Sequence, residues 1–139
     1  MKPIFQRLTT ESEEGFAFKE IRSSGFGCPW HVHPEYELIL VVQGHGDRIV
    51  GDNISRLANG DLVLVGPGLP HIWQNTPGSQ GRNSVHFLLI QFEDKLLGDG
   101  LMRLPALEPL RRLLHRATRG VHIVGNGVPC TGLAQSRRS

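Results

Sequence analysis

The segment from Gly25 to Gly44, GFGCPWHVHPEYELILVVQG, limits the fold more than any other part of the chain. It sets His31, His33 and Glu37 at positions of the same parity and closes on the apolar run Leu38 to Val42. Successive side chains of a β-strand point to opposite faces, so parity sends these three groups to one side. A second stretch, GDLVLVGPGLPHIWQN from Gly60 to Asn75, adds His71 on what reads as another strand. Three imidazole nitrogens and one carboxylate converging on a point suit a borderline divalent metal. Ligand type alone does not separate zinc, iron, nickel and manganese.

The remaining pattern is that of many short strands. Phe16–Ile21, Trp30–Val42, Asp47–Val50, Ile54–Leu57, Leu62–Val65, His71–Gln74 and Ser84–Phe92 alternate or run apolar, with turn residues between them. Pro34 interrupts the second of these and implies an edge or a bulge. The 17 glycines and 9 prolines are scattered, as tight turns between short strands require. An all-β sandwich or barrel follows, spanning residues 1–93. Then the period changes. Leu107, Leu110, Leu114 and Ala117 form one helical stripe, with Pro105 before it and Gly120 after it. Residues 94–120 therefore read as a helical segment, packed on the barrel or forming a dimer interface. Residues 121–139 read as an irregular tail.

The net charge of +2 conceals an asymmetry: −4 through residue 100 and +6 beyond it. Most of the late arginines flank the helical stripe, the pattern of a solvated helix face. Cys28 and Cys130 are far apart and form no CxxC pair, so neither a disulfide framework nor a cysteine zinc site is expected. The N-terminus has no apolar signal core, and no apolar run approaches the ~20 residues a membrane helix needs. A cytoplasmic protein with no membrane partner is expected.

Trp73 and Asn75 share parity with His71 and should face the same interior. With His86 on the last strand they form the candidate ligand pocket, suited to a sugar or an organic acid. His86 has an alternative reading as a bystander in an apolar strand. It falls opposite Phe87, Leu89 and Gln91 by parity. Pro34 leaves the direction of Glu35 open. His45, His115 and His122 read as turn or surface residues.

These motifs resemble those of the cupin superfamily. Gly25, His31, His33, Glu37 and Gly44 fill every position of its first motif; Gly60, Gly68, His71 and Asn75 match its second. The proline expected in the second motif is displaced: its place is held by Gly66, with Pro67 one residue late. The resemblance implies a double-stranded β-helix, or jelly-roll, barrel that binds a divalent metal through His31, His33, Glu37 and His71. Residues 15–124 are also similar to the N-terminal ligand-sensing domain of AraC-type bacterial transcription regulators. That similarity implies a small-molecule effector in the barrel and homodimerisation through the helix that follows. Nothing after Val124 has the pattern of a helix-turn-helix pair, so no direct DNA binding by this chain is expected. The chain thus reads as an effector sensor rather than an enzyme. The alternative is a small metal-dependent cupin enzyme: a dioxygenase, isomerase or lyase.

Overall fold

The alternating segments form two sheets facing each other across an apolar core. The computed structural model describes residues 4–5, 16–27, 30–79, 81–124 and 136–138. Cys28, Cys130 and most of the expected irregular tail lie outside the described residues. One sheet has the order β1 (Ile4–Phe5), β3 (His31–Val32), β8 (His71–Asn75), β5 (Gly46–Val50) and β6 (Asn53–Leu57). The other has the order β11 (Ser136–Arg138), β10 (Val121–Ile123), β7 (Leu62–Val65), β4 (Tyr36–Gln43), β9 (Val85–Phe92) and β2 (Phe16–Ser23).

Pro34 does more than roughen one strand. The expected continuous run from Trp30 to Val42 is instead two strands, β3 and β4, and they belong to different sheets. Proline has no N–H to give to a ladder, so pairing stops there and the chain crosses over. His31 and Glu37 therefore reach a common point from opposite sheets, not from one strand face.

The core between the sheets holds Ile39, Val41, Val50, Leu57, Val63, Val65, Trp73, Val85, Phe87 and Leu89. These are the inward positions of strands whose burial alternates, as along β4 and β9. The outer face of the larger sheet is covered too. A helical run of 3-10 turn Pro105–Leu107, α2 (Glu108–Arg116) and 3-10 turn Ala117–Arg119 lies against it, following the short α1 (Gly98–Met102). Leu113, Leu114 and Ala117 pack with Leu64, Val121, Ile123, Tyr36, Leu38, Leu62 and Phe92. Much of the leucine stripe is thus used within the chain. Covered on both faces, β7 reads as the unbroken apolar run Leu62–Val65 rather than an alternation.

Gly120 ends the helical run at φ 78°, where a Cβ would lie 2.7 Å from Val50 Cγ1. The chain then re-enters the sheet. Val121, His122 and Ile123 pair with Val63 and its neighbours on β7, although these residues fell in the expected irregular tail. Three residues are too few for period-2 alternation to stand out.

Gly66, the residue in place of the motif proline, has a structural reason. Its N–H donates to Ala117 O at 2.7 Å, a bond proline cannot make. A Cβ there would lie 2.5 Å from the same oxygen. Gly66→Ala is therefore expected to cost about 1–3 kcal/mol, since neither backbone can yield freely. Urea unfolding of the two proteins side by side measures it.

Candidate metal centre

His31 and His71 are direct partners across β3 and β8. His33 sits in the crossover, where its carbonyl accepts from Gly68 N–H at 2.9 Å. That bond ties the crossover to the Gly66–Pro70 loop that delivers His71. Glu37 comes from β4 on the opposite sheet, paired with Val65 on one side and Gln91 on the other. One donor atom from each of His31, His33, Glu37 and His71 lies within 4.8 Å of the others, and all four residues are buried.

The backbone fixes which nitrogens face inward. His33 Nδ1 lies 3.0 Å from Glu35 O, and His71 Nδ1 lies 2.7 Å from Leu69 O. A carbonyl only accepts, so both Nδ1 atoms carry the proton and both Nε2 atoms offer lone pairs. Those Nε2 atoms are buried without a hydrogen-bond partner and lie 3.6 and 3.3 Å from the Glu37 carboxylate. Two lone pairs facing a carboxylate repel it unless a positive charge sits among them. A proton satisfies one nitrogen; a divalent cation satisfies the whole set. The residues therefore fit a divalent metal, with positions left for water or a small molecule. Such an ion would act as a Lewis acid on whatever oxygen binds it.

Gln91 completes the arrangement. Its amide donates to Glu37 Oε1 at 2.9 Å, fixing the carboxylate from behind. Parity had set Gln91 beside Phe87 and Leu89, but spacing alone could not connect it to Glu37, 54 residues away. Glu35 is fully buried between two ligands, and its charge helps to raise the pKa of His33.

Glu37 and His33 titrate away from their usual values. Burial alone would raise the Glu37 pKa, but the neighbouring His33 and His71 rings, once protonated, and the Gln91 amide hold it far below 4.5. Burial alone would lower His33, but the Glu37 carboxylate outweighs it and lifts His33 above 6.5. In metal-free protein, the His33 contribution to stability is present below 6.5 and lost as pH rises through the folded value. The Glu37 contribution is present above 4.5 and lost only as pH falls through its depressed value. Metal binding runs the other way above 6.5, because it needs the imidazoles unprotonated. As pH rises from 6.5 through the raised His33 value, metal-free protein should lose stability while metal affinity rises. Thermal melts of the metal-free form and chelator competition of the loaded form test the two signs.

A cavity of about 110 Å³ opens above the cluster, lined by Lys19, Ile21, Phe26, Trp73, Phe87 and Leu89 among others, with His31, Glu37 and Gln91 at its floor. Trp73 is among the expected pocket residues; the other two are corrected. Asn75 is a clamp: its Oδ1 accepts from Phe26 N–H at 2.9 Å and its Nδ2 donates to Phe26 O at 3.0 Å. Asn83 Nδ2 also donates to Asn75 Oδ1, at 3.1 Å. The Gly25 backbone presses against the same amide, so that an added Cβ would lie 2.9 Å from Asn75 Oδ1. Asn75 thus shapes the rim that Phe26 forms without lining the cavity. His86 lies on the outward face of β9, 3.0 Å from Glu20 Oε2. Its parity, opposite to that of Phe87, already put it on that side.

His122 is not a plain surface residue either. It lies 3.2 Å from Asp61 Oδ1, while Arg48, buried on the inward face of β5, lies 2.6 Å from Asp61 Oδ2. This network joins the two sheets.

Residues 18–82 match the family described as Cupin domain. Over these residues the fold is that of a cupin domain. The matched span contains all four donors of the cluster and stops before β9 and the helical run. Among solved structures, the cupin barrel is similar to a cupin 2 conserved barrel domain protein from Rhodopseudomonas palustris, at 23% identity and TM-score 0.48. That alignment covers 61% of this chain and 57% of that one. A cupin 2 conserved barrel domain protein from Salinispora arenicola aligns at 18% identity and TM-score 0.49, covering 60% and 67%. The polyketide cyclase RemF from Streptomyces resistomycificus aligns at 23% identity and TM-score 0.47, covering 60% and 58%. The chain therefore spans about three fifths of the length of the solved structures it resembles. No curated protein matches the sequence. Among the described residues, no helix is long and apolar enough to cross a membrane.

Proposed function

We propose that this cupin barrel is a metal-dependent binding module for a small organic effector, of the sensor kind found at the N-terminus of AraC-type regulators. One observation carries the reading: the apolar cavity opens directly onto His31 and Glu37, so a molecule bound there would meet a metal held by these residues. Apart from the ligand set, the polar groups among the lining residues are Lys19, Gln91 and the Trp73 indole N–H. The cavity thus lacks a spare carboxylate or imidazole to move protons, which favours binding over turnover. The helical run on the outer sheet agrees with the order of elements in the sensor family, and homodimerisation is part of the same reading.

The second reading is a small metal-dependent enzyme, a dioxygenase, isomerase or lyase. It draws on the same open coordination positions. Incubating metal-loaded protein with a ligand found by thermal shift, and following that ligand by NMR, separates the two. An unchanged ligand supports the sensor; turnover abolished by chelation supports the enzyme. Sedimentation at high micromolar concentration tests the dimer, and a monomer there removes that part.

A further inference from the structure

Lys19 lines the cavity but is not one of the metal-cluster residues. It stands on the inner face of β2 opposite Leu89, on the rung that Ile39 occupies on β4. Its neighbour Glu20 faces the other way and is engaged by His86, and no ion pair of Lys19 is formed among the described residues. The next rung toward the metal cluster carries Glu37 and Gln91. With strands about 4.8 Å apart and residues about 3.4 Å apart along them, the Lys19 and Glu37 Cα atoms are roughly 12 Å apart. Both side chains project from the same sheet face into the cavity, so a short ligand bound there lies between the ammonium and the metal cluster.

The charge balance of the cavity is one-sided. Glu37 is the only acid among its lining residues, and a divalent ion together with Lys19 outweighs it. The walls are Ile21, Phe26, Ile39, Trp73, Phe87 and Leu89. Low-dielectric walls around net positive charge concentrate anions. Such a surface suits a sugar poorly, since few groups would replace the hydrogen bonds its hydroxyls lose. The volume of about 110 Å³, open at one end, is on the scale of a branched chain or a single ring.

We propose that the cavity takes a small organic carboxylate with an apolar body, and that Lys19 at the rim pairs with its anionic group. This rests on the binding-module reading above and narrows its ligand. A lysine facing inward on an edge strand also discourages strand pairing between molecules, but that role is indifferent to the charge of a ligand.

Benzoate and its neutral isostere benzamide are the probes, titrated into the metal-loaded full chain by calorimetry. Wild-type protein should prefer benzoate. Lys19→Gln should lose about fivefold in benzoate affinity, the scale of one rim ion pair, with benzamide unchanged. Lys19→Glu should instead favour benzylammonium. Benzamide binding as tightly as benzoate, or Lys19→Gln leaving benzoate unchanged, overturns the carboxylate proposal while the binding module stands. Binding of neither probe to loaded protein overturns both.

Discussion

Replacing His71 by alanine should abolish stoichiometric metal binding. His71 is the hub of the cluster: its ring centroid lies 4.3 Å from that of His31 and 4.7 Å from that of His33, and its Nε2 lies 3.3 Å from Glu37. Loss of an outer-shell partner typically costs 10–100-fold in metal affinity, and a direct ligand should cost more, at least ~100-fold. Competition with a chromophoric chelator gives the number. The stability increment from metal should shrink with it, by at least about 2.7 kcal/mol. That increment is about 4 kcal/mol when free metal exceeds Kd about a thousandfold. Melts with and without metal would therefore differ by about 4 kcal/mol for wild type and by no more than about 1.4 kcal/mol for His71→Ala. Stabilisation of the variant by metal as large as that of wild type would mean the ion sits elsewhere.

The second large effect concerns stability far from the metal. Asp61→Ala should destabilise the barrel by about 3–5 kcal/mol, because it strands Arg48 as a buried charge without its partner. Asp61 also accepts from Ala58 N–H at 3.3 Å and holds His122, so the turn and the β10 edge lose support as well. Replacing both residues, Arg48→Met with Asp61→Leu, should recover most of the loss, since apolar isosteres of a buried pair are often neutral. Urea unfolding of the single and double variants checks the cycle. A single variant within about 1 kcal/mol of wild type would show that solvent reaches Arg48 and relieves it.

The fold class was readable because two-residue periodicity survives wherever one strand face is buried and the other is not, as along β4 and β9. Leu62–Val65 was readable as a strand for a different reason, being apolar on both faces beneath the helix. The four donors stand out by residue type and spacing. What brings them together did not follow from parity. Pro34 ends one strand, the chain changes sheets, and His31 meets Glu37 across the barrel.

Groups whose partners lie far off in sequence were hidden. Gln91 buttresses Glu37 across two neighbouring strands. Arg48 alternates correctly into the core, but its acid, Asp61, lies beyond an intervening strand. Asn75 occupies a motif position, yet nothing local reveals that its amide holds the Phe26 backbone. Gly66 is a similar case: the missing proline makes sense only once the Ala117 carbonyl is seen to occupy the space.

Elemental analysis of protein purified without a histidine tag is the sharpest test of the metal centre. Wild type should carry close to one divalent ion per chain and His71→Ala essentially none. Anomalous scattering should place that ion among His31, His33, Glu37 and His71. Wild-type protein that stays metal-free after equilibration with zinc, iron, nickel and manganese in turn would contradict it.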